Sequence, residues 1–156
     1  MNYFLTVFMF LFCTFFWPTS HVGIKSDVTN TKGIAKDELD CLVINAYHEA
    51  MGEGRLGRLL VTQVVINRAE RASKSFCEII FQANQFSWTL SPRKEISKEV
   101  YYNLAFEVYE LYNNKSIIPI DFYDITHFHE VRIKPYWAEK LVQVGIYKQH
   151  VFYKGI

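Results

Sequence analysis

Two glutamates stand four apart in the segment Tyr47-His48-Glu49-Ala50-Met51-Gly52-Glu53, and acid–base chemistry is the first use such a pair suggests. Cleaving a glycosidic bond requires an acid that protonates the leaving oxygen. It also requires a group that stabilises or intercepts the sugar cation, commonly a second carboxylate. A carboxyl group can be that acid at neutral pH when burial raises its pKa. Two glutamates at a helix end more often form a solvated terminus, so spacing alone leaves both uses open.

The segment His127-Phe128-His129 is the next candidate. In an extended stretch alternate side chains share a face, so the two imidazoles would point the same way. Joined by His48 or a glutamate they could hold zinc; hydrogen-bonded histidines without a metal are the commoner outcome. Gln85-Phe86-Ser87-Trp88 and Pro135-Tyr136-Trp137 put amides and aromatic faces in expected loops. Such groups suit sugar rings and their hydroxyls, and they suit core packing equally. Ser87 lacks the Gly-x-Ser-x-Gly context of an acyl nucleophile. Arg55, Arg58, Arg68 and Arg71 punctuate one helical stretch, where a solvated face is the default.

Several elements must position these residues. Leu39, Leu42, Val43, Ala46 and Ala50 recur at helical spacing and predict a helix from Asp37 or Glu38 to Met51, with Asp37 as its cap. Gly52 and Gly54 would end it. Glu49 then falls in the last turn, on the flank of the apolar stripe. There the negative end of the helix dipole and the apolar neighbours would oppose its ionisation. A second helix is predicted from about Leu56 to Ala72, apolar over so wide a face that it must be central. Gln63 and Asn67, four apart within it, should hydrogen-bond inside the domain and could reach the site. Ser75-Phe76-Cys77-Glu78 fits a capping box opening a short helix through Phe81, and a further helix spans about Ile96 to Tyr112. Residues Ile117 to Arg132 read as loop with one or two short strands. Pro135 can open a helix through Gln143 that Gly145 closes, and Tyr147 to Tyr153 reads as a last strand.

The N-terminal stretch belongs to targeting. Residues 1–24 carry no Lys, Arg, Asp or Glu, and Tyr3 to Trp17 is almost continuously apolar before Pro18-Thr19-Ser20. A membrane-spanning helix needs about 20 apolar residues, so this run reads as a signal peptide or a signal anchor over residues 1–20. Residues 21–36 are polar and mixed and read as a linker, leaving 37–156 as one domain. With 50% apolar residues and a net charge of +1, the chain fits neither a disordered class nor a strongly basic nucleic-acid binder. Cys41 and Cys77 could pair in an oxidising compartment or remain two separate buried thiols.

Taken in order, several segments carry a resemblance. They are Ala46-Tyr47-His48-Glu49-Ala50-Met51-Gly52-Glu53-Gly54, Val61 to Arg68, Phe76 to Gln82, Gln85 to Trp88, Thr126 to His129, Pro135 to Ala138 and Gln149 to Tyr153. The ordered set resembles the SleB-type cell-wall hydrolases. That resemblance implies an α+β, predominantly helical, lysozyme-like single domain with a small β element. It implies cleavage of peptidoglycan glycan strands between N-acetylmuramic acid and N-acetylglucosamine, by lytic transglycosylation without a cofactor or a metal. Glu49 would be the catalytic acid, with Glu53, Gln85, Ser87, His127 and His129 supporting it or binding substrate. The family usually has Arg where Met51 stands. The implied partner is bacterial peptidoglycan, with no nucleic acid, and with a membrane only through the N-terminal segment. The expected state is a monomer exported to the periplasm or wall. Two rivals stay open: a zinc-dependent amidase or peptidase using His48, His127 and His129, and a wall-binding protein whose catalytic site has decayed.

Overall fold

The computed structural model describes residues 33–91 and 94–155. The chain divides into two units, and the described residues all belong to the second, Thr31–Ile156. The expected export segment and most of the expected linker lie outside the described residues.

Four helices come first: α1 (Lys36–Ala50), α2 (Gly54–Ala72), α3 (Phe76–Ile80) and α4 (Lys98–Asn113). Three strands follow: β1 (His127–Glu130), β2 (Val142–Tyr147) and β3 (His150–Lys154). Strand β3 lies between the other two and pairs antiparallel with both. The predominantly helical domain with a small β element is therefore borne out.

Helix α2 is central, as its wide apolar face requires. Leu59, Leu60, Val61, Val64 and Val65 are all buried in it. Leu42 and Val43 of α1, Val65 of α2, Ile80 of α3 and Leu104 and Val108 of α4 form one core. Leu60 and Val64 join Ile125 and Phe152 in a second core beneath the sheet. Gln63 donates to Asn67 Oδ1 at 2.7 Å, and Asn67 donates to the carbonyls of Tyr123 and Ile125 at 2.9 and 2.7 Å. The pair does hydrogen-bond inside the domain, but it ties down the approach to β1 and does not line the cleft described below. The capping box at Ser75 and Glu78 is complete, and Ser97 caps α4 through the Val100 amide.

Several boundaries differ from expectation. Helix α1 starts at Lys36, and Ala35 occupies its cap without a side-chain bond. Asp37 and Glu38 instead fall in the first turn, where negative charge suits the helix dipole. Glu38 Oε2 also accepts from the Phe76 amide at 2.6 Å, so it serves the start of α3. The expected helix from Pro135 to Gln143 is only a short 3-10 turn, Ala138–Lys140. Val142–Tyr147 forms a strand instead, paired with β3 through an irregularity between Gln143 and Gly145. Gly145 closes no helix; it passes so near Phe122 that an added Cβ would lie 2.9 Å from the ring. The expected strand from Tyr147 is split, because the chain reverses at Lys148-Gln149 and β3 begins at His150. The sulfurs of Cys41 and Cys77 are bonded, linking α1 to α3.

Candidate active site

A cleft of about 730 Å³ opens between the end of α1, the segment 84–90, and the sheet. Glu49, Glu53, Gln85, Ser87 and His129 all line it. His127 does not: its ring lies on a neighbouring depression, across Arg68 and Gln85. Both imidazoles approach the Trp137 ring, at 5.2 and 5.7 Å, as side chains on one face of a strand should.

Local geometry explains the position of each wall. Helix α1 ends at Ala50, and a 3-10 turn over Met51–Glu53 leads to Gly54. Gly54 has φ +74°, a conformation costly for any residue with a Cβ. Gly57 then allows Glu53 to lie against α2, since a Cβ there would sit 2.3 Å from that of Glu53. Glu53 Oε2 accepts from the Gln149 amide at 3.1 Å, so the β2–β3 turn is fastened to the α1–α2 junction. The opposite wall is held by Trp88. Its indole donates to Asn45 Oδ1 at 3.0 Å and stacks on His48 at 4.5 Å, pinning Gln85 and Ser87 beside α1.

Glu49 is half-buried, and burial pushes its pKa from 4.5 up to about 7. Among the described residues no cation pairs with it to offset that rise. It can therefore hold a proton near neutral pH and lose it readily, as a general acid must. His129 is oriented at both nitrogens, Nδ1 to the Glu130 carbonyl at 2.8 Å and Nε2 to the Tyr153 hydroxyl at 2.9 Å. His150, on the same wall, has its pKa lowered by burial, against the pull of Glu53 and Glu130. It is thereby kept neutral.

Spacing alone does not single out some of the lining residues. Arg68, Phe128, Glu130, Gln149 and His150 all reach the cleft. Arg68 corrects the expectation of a solvated face. It is half-buried and donates to the Thr126 carbonyl at 2.6 Å and to Gln85 Oε1 at 3.0 Å. Arg58 is not solvated either, as it forks onto Glu107. The sequence signal for Arg68 was its place at the end of the Val61 to Arg68 block of the ordered set. Met51 lies in a different groove with Arg55 and Arg58. An arginine there would join those two and not the Glu49 cleft. His48, His127 and His129 form no cluster able to hold a metal, and among the described residues no other such group exists.

Fold and cleft together define a predominantly helical domain whose three-stranded sheet forms one wall of a polar cleft. The chain belongs to the cell wall hydrolase family, whose pattern it matches over residues 52–153. Glu53, Gln85, Ser87, His127 and His129 fall within that match, and Glu49 lies just before it. The structure is similar to the catalytic domain of the Bacillus cereus SleB protein, with a TM-score of 0.63 and 18% identity over 79% of this chain and 94% of that one. It is also similar to the catalytic domain of the germination-specific lytic transglycosylase SleB from Bacillus anthracis. There the TM-score is 0.60, again at 18% identity, over 79% of this chain and 98% of that one. No curated protein sequence matches significantly. The SleB-type resemblance read from the motif order is thus borne out.

Proposed function

We propose that this protein cuts peptidoglycan glycan strands between N-acetylmuramic acid and N-acetylglucosamine, as a lytic transglycosylase with Glu49 as its acid. The observation that carries this reading is a carboxyl group lifted to about 7 by burial, facing a polar cleft. Protonated Glu49 donates to the glycosidic oxygen as the bond from the muramic-acid C1 breaks and positive charge develops on the sugar. The Glu49 carboxylate then takes the proton from the C6 hydroxyl of the same sugar. That oxygen closes on C1 and leaves a 1,6-anhydro ring. No external nucleophile is needed, and Glu49 ends protonated as it began.

Glu53 acts in this scheme by holding the β2–β3 turn through Gln149. Gln85 and Ser87 offer an amide and a hydroxyl to sugar hydroxyls, and Phe86 and Phe128 supply apolar surface. The wall as substrate is consistent with the export expected from residues 1–20. Among the described residues no helix is long and apolar enough to cross a membrane.

Product analysis on purified sacculi tests the reading. Mass spectrometry is expected to find anhydromuropeptides among the released fragments. Fragments ending only in reducing muramic acid would mean that water, not the C6 hydroxyl, completes the reaction. A Glu49→Gln protein that released fragments at the full rate would remove Glu49 from the role of acid.

A further inference from the structure

The cleft shares one wall with a second depression of about 320 Å³, at the small end for a ligand site. Arg68 and Gln85 line both. Arg71, Gln82, Thr126 and His127 complete the polar lining of the second. Arg68 and Arg71 stand three apart on α2, so they are neighbours on one helix face.

These two arginines differ from the others near them. Arg55, Arg58 and Arg132 each pair with a glutamate. Among the described residues no carboxylate pairs with Arg68 or Arg71. The partners of Arg68 are a carbonyl and an amide oxygen, both neutral. Glu70, beside Arg71 in sequence, lines a depression on another side of the helix. Burial draws the Arg68 pKa down to about 10, which still leaves it charged at neutral pH. His127 is kept neutral by burial and by the two arginines, its pKa falling to about 4. Among the described residues, the depression therefore holds two cations with no carboxylate partner, set beside neutral hydrogen-bonding groups. Planar guanidinium groups in such a place fit a carboxylate, which they can meet with paired hydrogen bonds.

We infer that this depression binds a carboxylate of the peptide stem carried by muramic acid, while the glycan strand lies in the Glu49 cleft. The inference rests on the glycan reading proposed above. One polymer can occupy both places because Arg68 and Gln85 form their common wall. The stem carboxylates are the anions that lie nearest the glycan in such a substrate.

Calorimetric titration of the Glu49→Gln protein separates binding from cleavage. The ligand is a disaccharide-tetrapeptide, first as the free acid and then with its carboxyl groups amidated. The amidated form is expected to bind about tenfold more weakly, the loss of one charge-assisted hydrogen bond. Adding Arg71→Gln should remove most of that difference, and Arg71→Lys should recover only part of it, because an ammonium cannot make the paired hydrogen bonds. Arg71 is exposed, so a melting curve suffices to show that these variants fold. Equal affinity for the two forms would overturn the inference. So would a preference for the free acid that Arg71→Gln leaves undiminished, or no binding of either form by the folded protein. Discrimination between the forms by a chain whose Glu49 parent released nothing from sacculi would uphold the carboxylate site and refute glycan cleavage.

Discussion

The α1–α2 junction separates two depressions in which charge is handled in opposite ways. On one side, in a groove of about 340 Å³ with Met51, Arg58 meets Glu107 through two hydrogen bonds of 2.8 and 2.6 Å. Both side chains are largely covered, 15% and 14% exposed, and each offsets the other's desolvation. On the other side Glu49 is half-buried, forms no ion pair among the described residues, and has its pKa raised by burial to about 7. The paired carboxylate of Glu107 is committed to a structural ion pair. An unpaired one becomes an acid that can give up a proton at neutral pH. The difference lies in pairing: α4 brings Glu107 to Arg58, while among the described residues no cation forms an ion pair with Glu49.

The largest effect should come from removing the unpaired acid. Glu49→Gln is expected to lower the rate of fragment release from sacculi by at least about a thousandfold. The wild-type rate should fall as pH rises through about 7, because the protonated acid is lost there. Stability should move the other way in the variant. Between pH 4.5 and about 7 the unfolded glutamate ionises while the folded one stays protonated, so the folded state loses ground as pH rises. Denaturant unfolding at pH 8 is expected to find Glu49→Gln more stable than wild type by about 2–3 kcal/mol, with little difference at pH 4. An equal gain at both pH values would show that ionisation is not the cause.

Breaking the paired side should reverse that sign. Arg58→Met leaves Glu107 covered without its cation and is expected to cost about 3 kcal/mol of stability. Arg58→Met with Glu107→Leu should recover most of it, and a double variant as unstable as the single one would deny that unpaired charge is the cause. The Cys41–Cys77 bond closes a loop across a sequence separation of 36. Replacing both cysteines with alanine should cost about 2–4 kcal/mol in the same assay, with the pH profile of activity retained. The smallest effect is expected from Met51→Arg. Met51 is 42% exposed and lines the paired groove, so the new cation should change the activity by less than about twofold. A clear displacement of the alkaline limb by this variant would mean that the two sides communicate electrostatically.

Much of the helical half was legible in the residue pattern. The period of Leu56 to Val65 and the capping box at Ser75 gave α2 and the start of α3 directly, because both are local signals. The sheet was less legible. Pro135 and Gly145 look like a helix start and stop, and only pairing with β3 turns Val142–Tyr147 into a strand. The Arg58 fork, the two neutral partners of Arg68 and the place of His127 were also invisible. Each depends on a residue 17 to 58 positions away or on which side of the sheet edge a cavity opens.

The sequence by itself determined the family, the helical frame and the position of Glu49 in the last turn of a helix flanked by apolar residues. Periodicity, caps and motif order are short-range properties, and they need no knowledge of what packs against what. Tertiary structure alone decided which charges are compensated. Trp88 pinned to Asn45 and the turn at Lys148-Gln149 tied to Glu53 build the walls of the Glu49 cleft, while Glu107 is brought to Arg58 on the other side. A pKa depends on the groups brought within a few ångströms of the carboxyl, and folding sets those distances.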